Sequence, residues 1–168
     1  MVLEAIKNRY SVRAFEGRKI DQEILDDILK AAQLAPSARN LQSWKFVVIS
    51  DDTQRAKLTE ITKGQKFVAD APVTIAVCAN NMDYRMTCGH QASVIDAAIA
   101  AEHIVLQAVE HGLGSCWIGA FHQEMICELL ELPEDYSVVA LLPLGYPAIP
   151  RRNRILKEDE EVISYNKF

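Results

Sequence analysis

QASVIDAAIAAEHIVLQAVE, at residues 91–110, forms the longest element that the sequence predicts. Its apolar side chains recur at helical spacing and cover more than one face of the helix, and Gly112 follows as a stop signal. A helix with this pattern has to be buried from several sides. The segment therefore predicts a core helix, enclosed by the rest of the fold or by a subunit interface.

A membrane-spanning helix is the alternative interpretation of this segment. Asp96, Glu102 and His103 interrupt it, and the chain contains no run of about 18 apolar residues. We therefore favour a buried helix and expect no membrane partner. We interpret His103 as a core or interface histidine rather than a catalytic base. The alanines between residues 97 and 101 would allow close approach of a partner helix.

Four short apolar stretches around this helix predict the strands of one sheet. The second of them is continuously apolar, which is typical of a central strand. The stretches are WKFVVI at 44–49, PVTIAVCA at 72–79, LGSCWIGAF at 113–121 and VVALLPLGYP at 138–147. Further helices are predicted from Asp21 to about residue 35, at about 52–63 and at about 122–130.

Composition and charge indicate one globular domain over residues 1–168, with residues 151–168 as a C-terminal arm. Of its 168 residues, 49% are hydrophobic, and the net charge of −5 argues against a general nucleic-acid surface. The four cysteines form no C-x-x-C pair, so we expect no metal site. The N-terminus lacks the pattern of a secretory signal, which favours a cytoplasmic location.

Two basic segments, far apart in sequence, are candidates for anion binding. RYSVR at 9–13 places two guanidinium groups and a hydroxyl within five residues, and RRNR follows at 151–154. Planar guanidinium forks suit phosphate oxygens, and a serine hydroxyl adds a donor. The first segment alone is more typical of a solvated surface, and its significance depends on the motifs that accompany it.

Five motifs occur in a fixed order along nearly the whole chain. They are RYSVRAF at 9–15, APSARNLQSW at 35–44, APV at 71–73, GLGSCWIG at 112–119 and LGYP at 144–147. In this order they resemble the FMN-dependent nitroreductase family in its compact form. The resemblance implies an α+β fold with a central, mostly antiparallel sheet flanked by helices. It also implies an obligate homodimer with two FMN sites at the subunit interface, whose core would bury the helix at 91–110.

The resemblance further implies an NAD(P)H-dependent flavin oxidoreductase. Hydride would pass through flavin N5 by a ping-pong route to a nitroaromatic, a quinone or a similar electron-poor small molecule. Because the cofactor carries this chemistry, no catalytic side chain is expected. Relatives with the same fold run dehalogenation, ene reduction or flavin cleavage, and a non-enzymatic flavin-binding protein is a further alternative.

Matching the motifs position by position gives the candidate cofactor-binding residues. The phosphate and ribityl chain would be held by Arg9, Tyr10, Ser11 and Arg13, with Arg152 and Arg154 closing from the C-terminal side. Arg151 is the alternative within the same basic cluster. The loop that reaches the flavin from the opposite subunit would supply Pro36, Ser37, Ala38 and Asn40. The backbone N–H that faces flavin N5 would come from Ile118, Gly119 and Ala120.

Three of these assignments keep an alternative. Gln65 would contact the flavin or be an ordinary polar loop residue. Residues 36–40 also fit a simple turn that ends a helix, and residues 118–120 fit a turn beside a core strand. The chain lacks a long insertion before the helix at 91–110, so the pocket is expected to be open. Tyr84 and Arg85 would then lie on the substrate side or in an exposed connecting loop.

Overall fold

A four-stranded antiparallel sheet forms the centre of the protein, as the sequence predicts. The computed structural model describes residues 1–80, 83–151 and 154–168. The strands are β1 (Trp44–Ile49), β2 (Val73–Ala79), β3 (Gly114–Ser115) and β4 (Ser137–Gly145). Their order in the sheet is β1-β2-β4-β3, so β2 is central.

Seven helices surround the sheet within the described part of the chain. They are α1 (Glu4–Asn8), α2 (Gln22–Gln33), α3 (Asp52–Ile61), α4 (Lys66–Asp70), α5 (Ala92–Glu110), α6 (Gln123–Leu129) and α7 (Asp159–Val162). The predictions for α2, α3, α5 and α6 are confirmed to within a few residues. Four short elements leave no periodic pattern in the sequence: α1, α4, α7 and a 3₁₀ turn at Ala38–Asn40.

The sheet is covered on both faces, which gives two hydrophobic layers. Val73, Ile75 and Val77 of β2 point into the layer formed with α2 and α5, whereas Ala76 and Cys78 point into the opposite layer. That second layer contains the buried side chains of α3, α4 and α6. Alternate residues of an extended strand face opposite sides, so every residue of β2 is buried.

The prediction that α5 is a buried helix is confirmed. Among the described residues, α5 alone has the length and apolar composition of a membrane span. Its packing accounts for that composition, since α5 contacts α2, α1 and the sheet, and nine of its residues are buried. His103 lies in this packing, with Nδ1 3.0 Å from the carbonyl oxygen of Ala31 in α2.

The strand predicted at 113–121 is wrong in extent. Only Gly114 and Ser115 pair with β4, and further along Ile118 forms an isolated bridge to Leu141. Between them Trp117 is 40% exposed, so the chain bends away from the ladder there. Leu113, Cys116 and Ile118 are nevertheless buried, because their side chains pack into the two hydrophobic layers.

The N-terminal segment crosses the open edge of the sheet and joins it to the chain after β4. Val12 N–H donates to the Ser115 carbonyl at 2.9 Å, and Glu16 N–H donates to the Tyr146 carbonyl at 2.8 Å. Two glycines permit this close approach. A Cβ at Gly114 would lie 2.3 Å from Cγ2 of Val12, and one at Gly145 would lie 3.0 Å from Cδ1 of Phe15.

Replacement of Gly114 by alanine should therefore displace the N-terminal segment from the sheet edge. Overpacking of this kind costs about 1–3 kcal/mol, so we expect the free energy of unfolding to fall by that amount in denaturant titration. Gly17→Ala is the matched control, because a Cβ at Gly17 meets no atom within 4 Å. A loss of stability that is equal in both variants would contradict the role assigned to Gly114.

Candidate functional site

A basic cavity lies where the N-terminal segment meets the chain beyond β4. It has a volume of about 670 Å³ and is lined by residues 9–14 on one wall and by Ile149, Pro150 and Arg154 on the other. None of the described residues that line it is acidic. The structure thus brings together the two basic segments that the sequence marks as anion-binding candidates. Arg152 lies outside the described residues.

Tyr10 ties the two walls of this cavity together. Its hydroxyl donates a hydrogen bond to the carbonyl oxygen of Ile149 at 2.8 Å. Ala148 N–H donates to the Ala14 carbonyl at 3.0 Å, which pairs the same two segments through the backbone. The Tyr10 hydroxyl, predicted to contact the cofactor, therefore serves to position the wall that carries Arg154.

The cysteine beneath this segment is a neutral thiol at ordinary pH. Cys116 is buried, and its burial raises the pKa of the thiol against the opposing effects of the Arg13 charge and a hydrogen bond with Ser11. A thiol with a raised pKa is a poor nucleophile, because the thiolate is the reactive form. The Ser11 and Arg13 side chains therefore lie near Cys116 at the sheet edge. The raised pKa of this thiol argues against cysteine chemistry here.

Arg9 and Ser11 also line a second, smaller cavity of about 190 Å³ on the α5 side. Its other walls come from Glu102 and Val105 of α5 and from Ser115 and Trp117. Neither Glu102 nor Trp117 was expected at the site from the sequence. They become neighbours of Arg9 only because α5 and the end of β3 meet at this edge.

The loop after α2 contains a second group of predicted site residues. Ala38 N–H lies 3.2 and 3.1 Å from the two carboxylate oxygens of Asp96 in α5. The Ser37 hydroxyl oxygen accepts from the Gln42 N–H at 3.0 Å. Pro36 and Asn40 are exposed. Neither cavity is lined by residues 36–40, so within one chain this loop is separate from the basic cavity.

The turn at 118–120 offers fewer free donors than the sequence suggests. Ile118 N–H donates to the Leu141 carbonyl at 3.0 Å, and the Ile118 carbonyl accepts from the Leu141 N–H at 3.1 Å. The Ile118 N–H is thus committed to the sheet, and a backbone donor for a ligand has to come from Gly119 or Ala120. Both of these residues are exposed, and a Cβ at Gly119 would meet no atom within 4 Å.

Gln65 lies beside this turn and holds it in place. Its Nε2 donates to the carbonyl oxygens of Thr62 at 3.0 Å and Ala120 at 3.3 Å. The second contact joins residues 55 positions apart. Gln65 is therefore close to the predicted ligand-binding turn, with its amide nitrogen used on the backbone.

Tyr84 and Arg85, which lie before α5, both contact neighbouring loop residues. Nη1 of Arg85 donates to the Gly89 carbonyl at 3.2 Å within the same loop. The Arg39 guanidinium lies 5.4 Å from the centre of the Tyr84 ring, so Tyr84 contacts the 36–42 loop. Among the described residues no cluster of ligands suited to a metal ion occurs.

Comparison with known proteins identifies the family. The family model described as "Nitroreductase family" matches residues 6–146. A nitroreductase family protein from Clostridium novyi NT is 38% identical in sequence and superposes with a TM-score of 0.82 over 86% of this chain and 83% of its own. An FMN-dependent nitroreductase from Clostridium difficile R20291 is 31% identical, with a TM-score of 0.83 over 98% of both chains.

A curated relative agrees with these structures. The enzyme named FMN reductase [NAD(P)H] from Bacillus subtilis is 32% identical over 165 residues, which span 88% of this chain and 66% of that enzyme. The region that the family model matches, residues 6–146, contains the basic N-terminal segment, the 36–42 loop, α5 and the 118–120 turn. This chain belongs to the nitroreductase family.

Proposed function

We propose that this protein catalyses ping-pong transfer of reducing equivalents from NAD(P)H, through FMN, to an electron-poor small molecule such as a nitroaromatic or a quinone. Membership of the family makes it an NAD(P)H-dependent oxidoreductase with FMN as cofactor. The observation that carries the residue assignment is the basic cavity, where Arg9, Arg13 and Arg154 surround one space with no acidic neighbour among its described lining.

The cavity has the chemistry that an FMN phosphate requires. A phosphate dianion is best held by several charge-assisted hydrogen bonds, and guanidinium groups supply planar pairs of donors. The Ser11 hydroxyl lies between two of these arginines in sequence and lines the same space. A volume of about 670 Å³ falls within the usual range for small-molecule pockets. The residues present therefore fit the phosphate end of FMN.

When bound, FMN supplies hydride acceptance and donation at its N5 atom, and the chain supplies binding and orientation. We assign phosphate binding to Arg9, Ser11, Arg13 and Arg154. The exposed backbone amides of Gly119 and Ala120 are the donors we assign to the isoalloxazine ring. A backbone N–H aimed at a position where negative charge develops stabilises that charge without reorganisation. These residues hold the cofactor and transfer no proton or hydride themselves.

We further propose that the protein is a homodimer with the FMN sites at its interface. Many large apolar side chains are exposed at the two ends of the chain: Val2, Leu3, Ile6, Ile155, Leu156, Val162, Ile163, Tyr165 and Phe168. Apolar exposure concentrated in this way is typical of an interface between chains. The separation of the 36–40 loop from the basic cavity also favours a role for this loop in the opposite subunit's site. The cytoplasmic location stays a prediction.

Arg9→Ala and Ser11→Ala should weaken FMN binding without abolishing turnover. A charge-assisted hydrogen bond contributes about 1.5–3 kcal/mol, so Arg9→Ala should raise the Kd for FMN about 10- to 100-fold, and Ser11→Ala by less. Titration of the apoprotein with FMN, followed by flavin fluorescence, measures this change. Activity should largely recover at saturating FMN, because these residues act only in binding.

The control is Arg18→Ala, which removes the same charge from a guanidinium that lies 3.8 Å from the centre of the Tyr146 ring and outside the cavity lining. Its Kd for FMN should stay within about twofold of the unsubstituted protein. An Arg9→Ala protein that binds FMN fully yet stays inactive would contradict the anchoring role.

The kinetic proposal predicts two separable half-reactions. Without oxygen, NAD(P)H alone should bleach the visible flavin absorbance in stopped flow, and a nitroaromatic or quinone added afterwards should restore it. Steady-state double-reciprocal plots should give parallel lines, because NADP⁺ or NAD⁺ leaves before the acceptor binds. Flavin that NAD(P)H does not bleach would overturn the reductase assignment. Turnover with oxygen or a halogenated acceptor alone would favour another reaction on the same fold.

A further inference from the structure

We propose that Asp96 of α5 is a positioning residue for the flavin site: its buried carboxylate fixes the conformation of the loop at 36–42. This inference rests on the proposed function, because it takes residues 36–40 as part of the FMN site. Asp96 would act through the Ala38 backbone and make no contact with the cofactor itself.

The bond between Asp96 and the loop is buried and long-range. Both carboxylate oxygens lie within 3.2 Å of the Ala38 nitrogen, and Asp96 is 4% exposed. The two residues are 58 positions apart in sequence. A hydrogen bond to an ionised acceptor is stronger than a neutral one, and exclusion of water strengthens it further. Asp96 thus ties the loop to the rigid helix at the centre of the fold.

The loop needs such a tie because much of its backbone is in an unfavourable conformation. Arg39, Asn40 and Gln42 have φ values of 54°, 55° and 51°, in the left-handed region that non-glycine residues rarely adopt. The Asn40 N–H bonds the Ser37 carbonyl at 2.9 Å, and the Leu41 N–H bonds the Ala38 carbonyl at 3.1 Å. These local bonds close the turn but do not hold it against the core. Strained backbone of this kind persists only where surrounding structure fixes it.

Packing alone does not account for a carboxylate at this position. The neighbouring buried residues of α5 include Ala92, Ala97, Ala100 and Ala101, which fill their sites with small apolar side chains. Burial of a charge is unfavourable unless hydrogen bonds compensate for it. The Ala38 N–H is such a compensating donor, and it lies within the segment that also contains Ser37 and Asn40.

Two substitutions at Asp96 weaken its hydrogen bond with the Ala38 N–H to different extents. Asp96→Asn keeps one acceptor oxygen without the charge, whereas Asp96→Ala removes both oxygens. We expect the Kd for FMN to rise about tenfold in Asp96→Ala and about threefold in Asp96→Asn, since a tenfold change corresponds to about 1.4 kcal/mol. In the apoprotein, hydrogen exchange of the Ala38 amide should accelerate in the same order. Glu110→Gln, at the exposed end of the same helix, is the control and should change neither quantity.

A third variant removes the donor and leaves the carboxylate in place. Ser37 is extended, with φ −140° and ψ 154°, which is the conformation preferred before proline, and Ala38 opens a 3₁₀ turn. Ala38→Pro therefore fits the backbone and deletes the N–H. It should raise the Kd for FMN about as much as Asp96→Ala, and the double variant should show less than the sum of the two effects. Because Ala38→Pro and Asp96→Asn preserve local shape, the test stands even if Asp96→Ala does not fold.

The possible failures are distinguishable. If the unsubstituted protein binds no FMN, the proposed function fails. If it binds FMN and all three variants bind it equally well, the role of Asp96 fails while the proposed function stands. Fully additive effects of Asp96→Ala and Ala38→Pro, or lower melting temperatures with unchanged Kd and unchanged Ala38 exchange, would likewise overturn a positioning role.

Discussion

Complete burial of β2 is the constraint on which the remaining architecture depends. Both faces of this strand carry apolar side chains, so the sheet needs a helical layer on each side. α5 and α2 cover one face, and α3, α4 and α6 cover the other. With both faces occupied, the edge of the sheet at β3 is where the N-terminal segment can pair. The candidate site is therefore an edge site, formed by chain segments that add to the sheet rather than by a cleft within it.

The geometry of that edge depends on small residues at the crossing point. β3 is only two residues long. A bridge between Ser11 and Ser115 adds a separate segment of chain beside it. Backbone hydrogen bonds to Ser115 and Tyr146 then fix where residues 9–14 lie relative to the wall formed by Ile149, Pro150 and Arg154. Cationic groups far apart in sequence are thus brought to one cavity by backbone pairing. Side-chain attraction cannot do this, because like charges repel.

The sequence predicts the elements whose pattern is set by burial and misses those set by long-range contacts. The aromatic and β-branched run at 44–49 has the observed strand bounds, and the apolar pattern of α5 predicts its burial. The stretch at 113–121 is also rich in apolar residues. Only tertiary structure, however, determines that Ile118 forms an isolated bridge to Leu141 and that Trp117 is exposed. For the site, the sequence marks the segments at 9–13 and 151–154 as basic, and the structure places Arg9, Ser11 and Arg154 on one cavity. The Gln65 contact with Ala120 has no local signal, and Asp96 appears in the sequence only as an interruption of an apolar helix.

The proposed phosphate-binding residues and the proposed loop anchor, Asp96, differ in where their charges lie. The arginines of the cavity face a space that no described acidic residue lines, so a dianion neutralises their mutual repulsion when it binds. Asp96 is the opposite case, because its charge is buried and directed to a backbone donor of the chain itself. In our proposal the first arrangement gives affinity for the cofactor, and the second orders a loop whose backbone has several residues with positive φ.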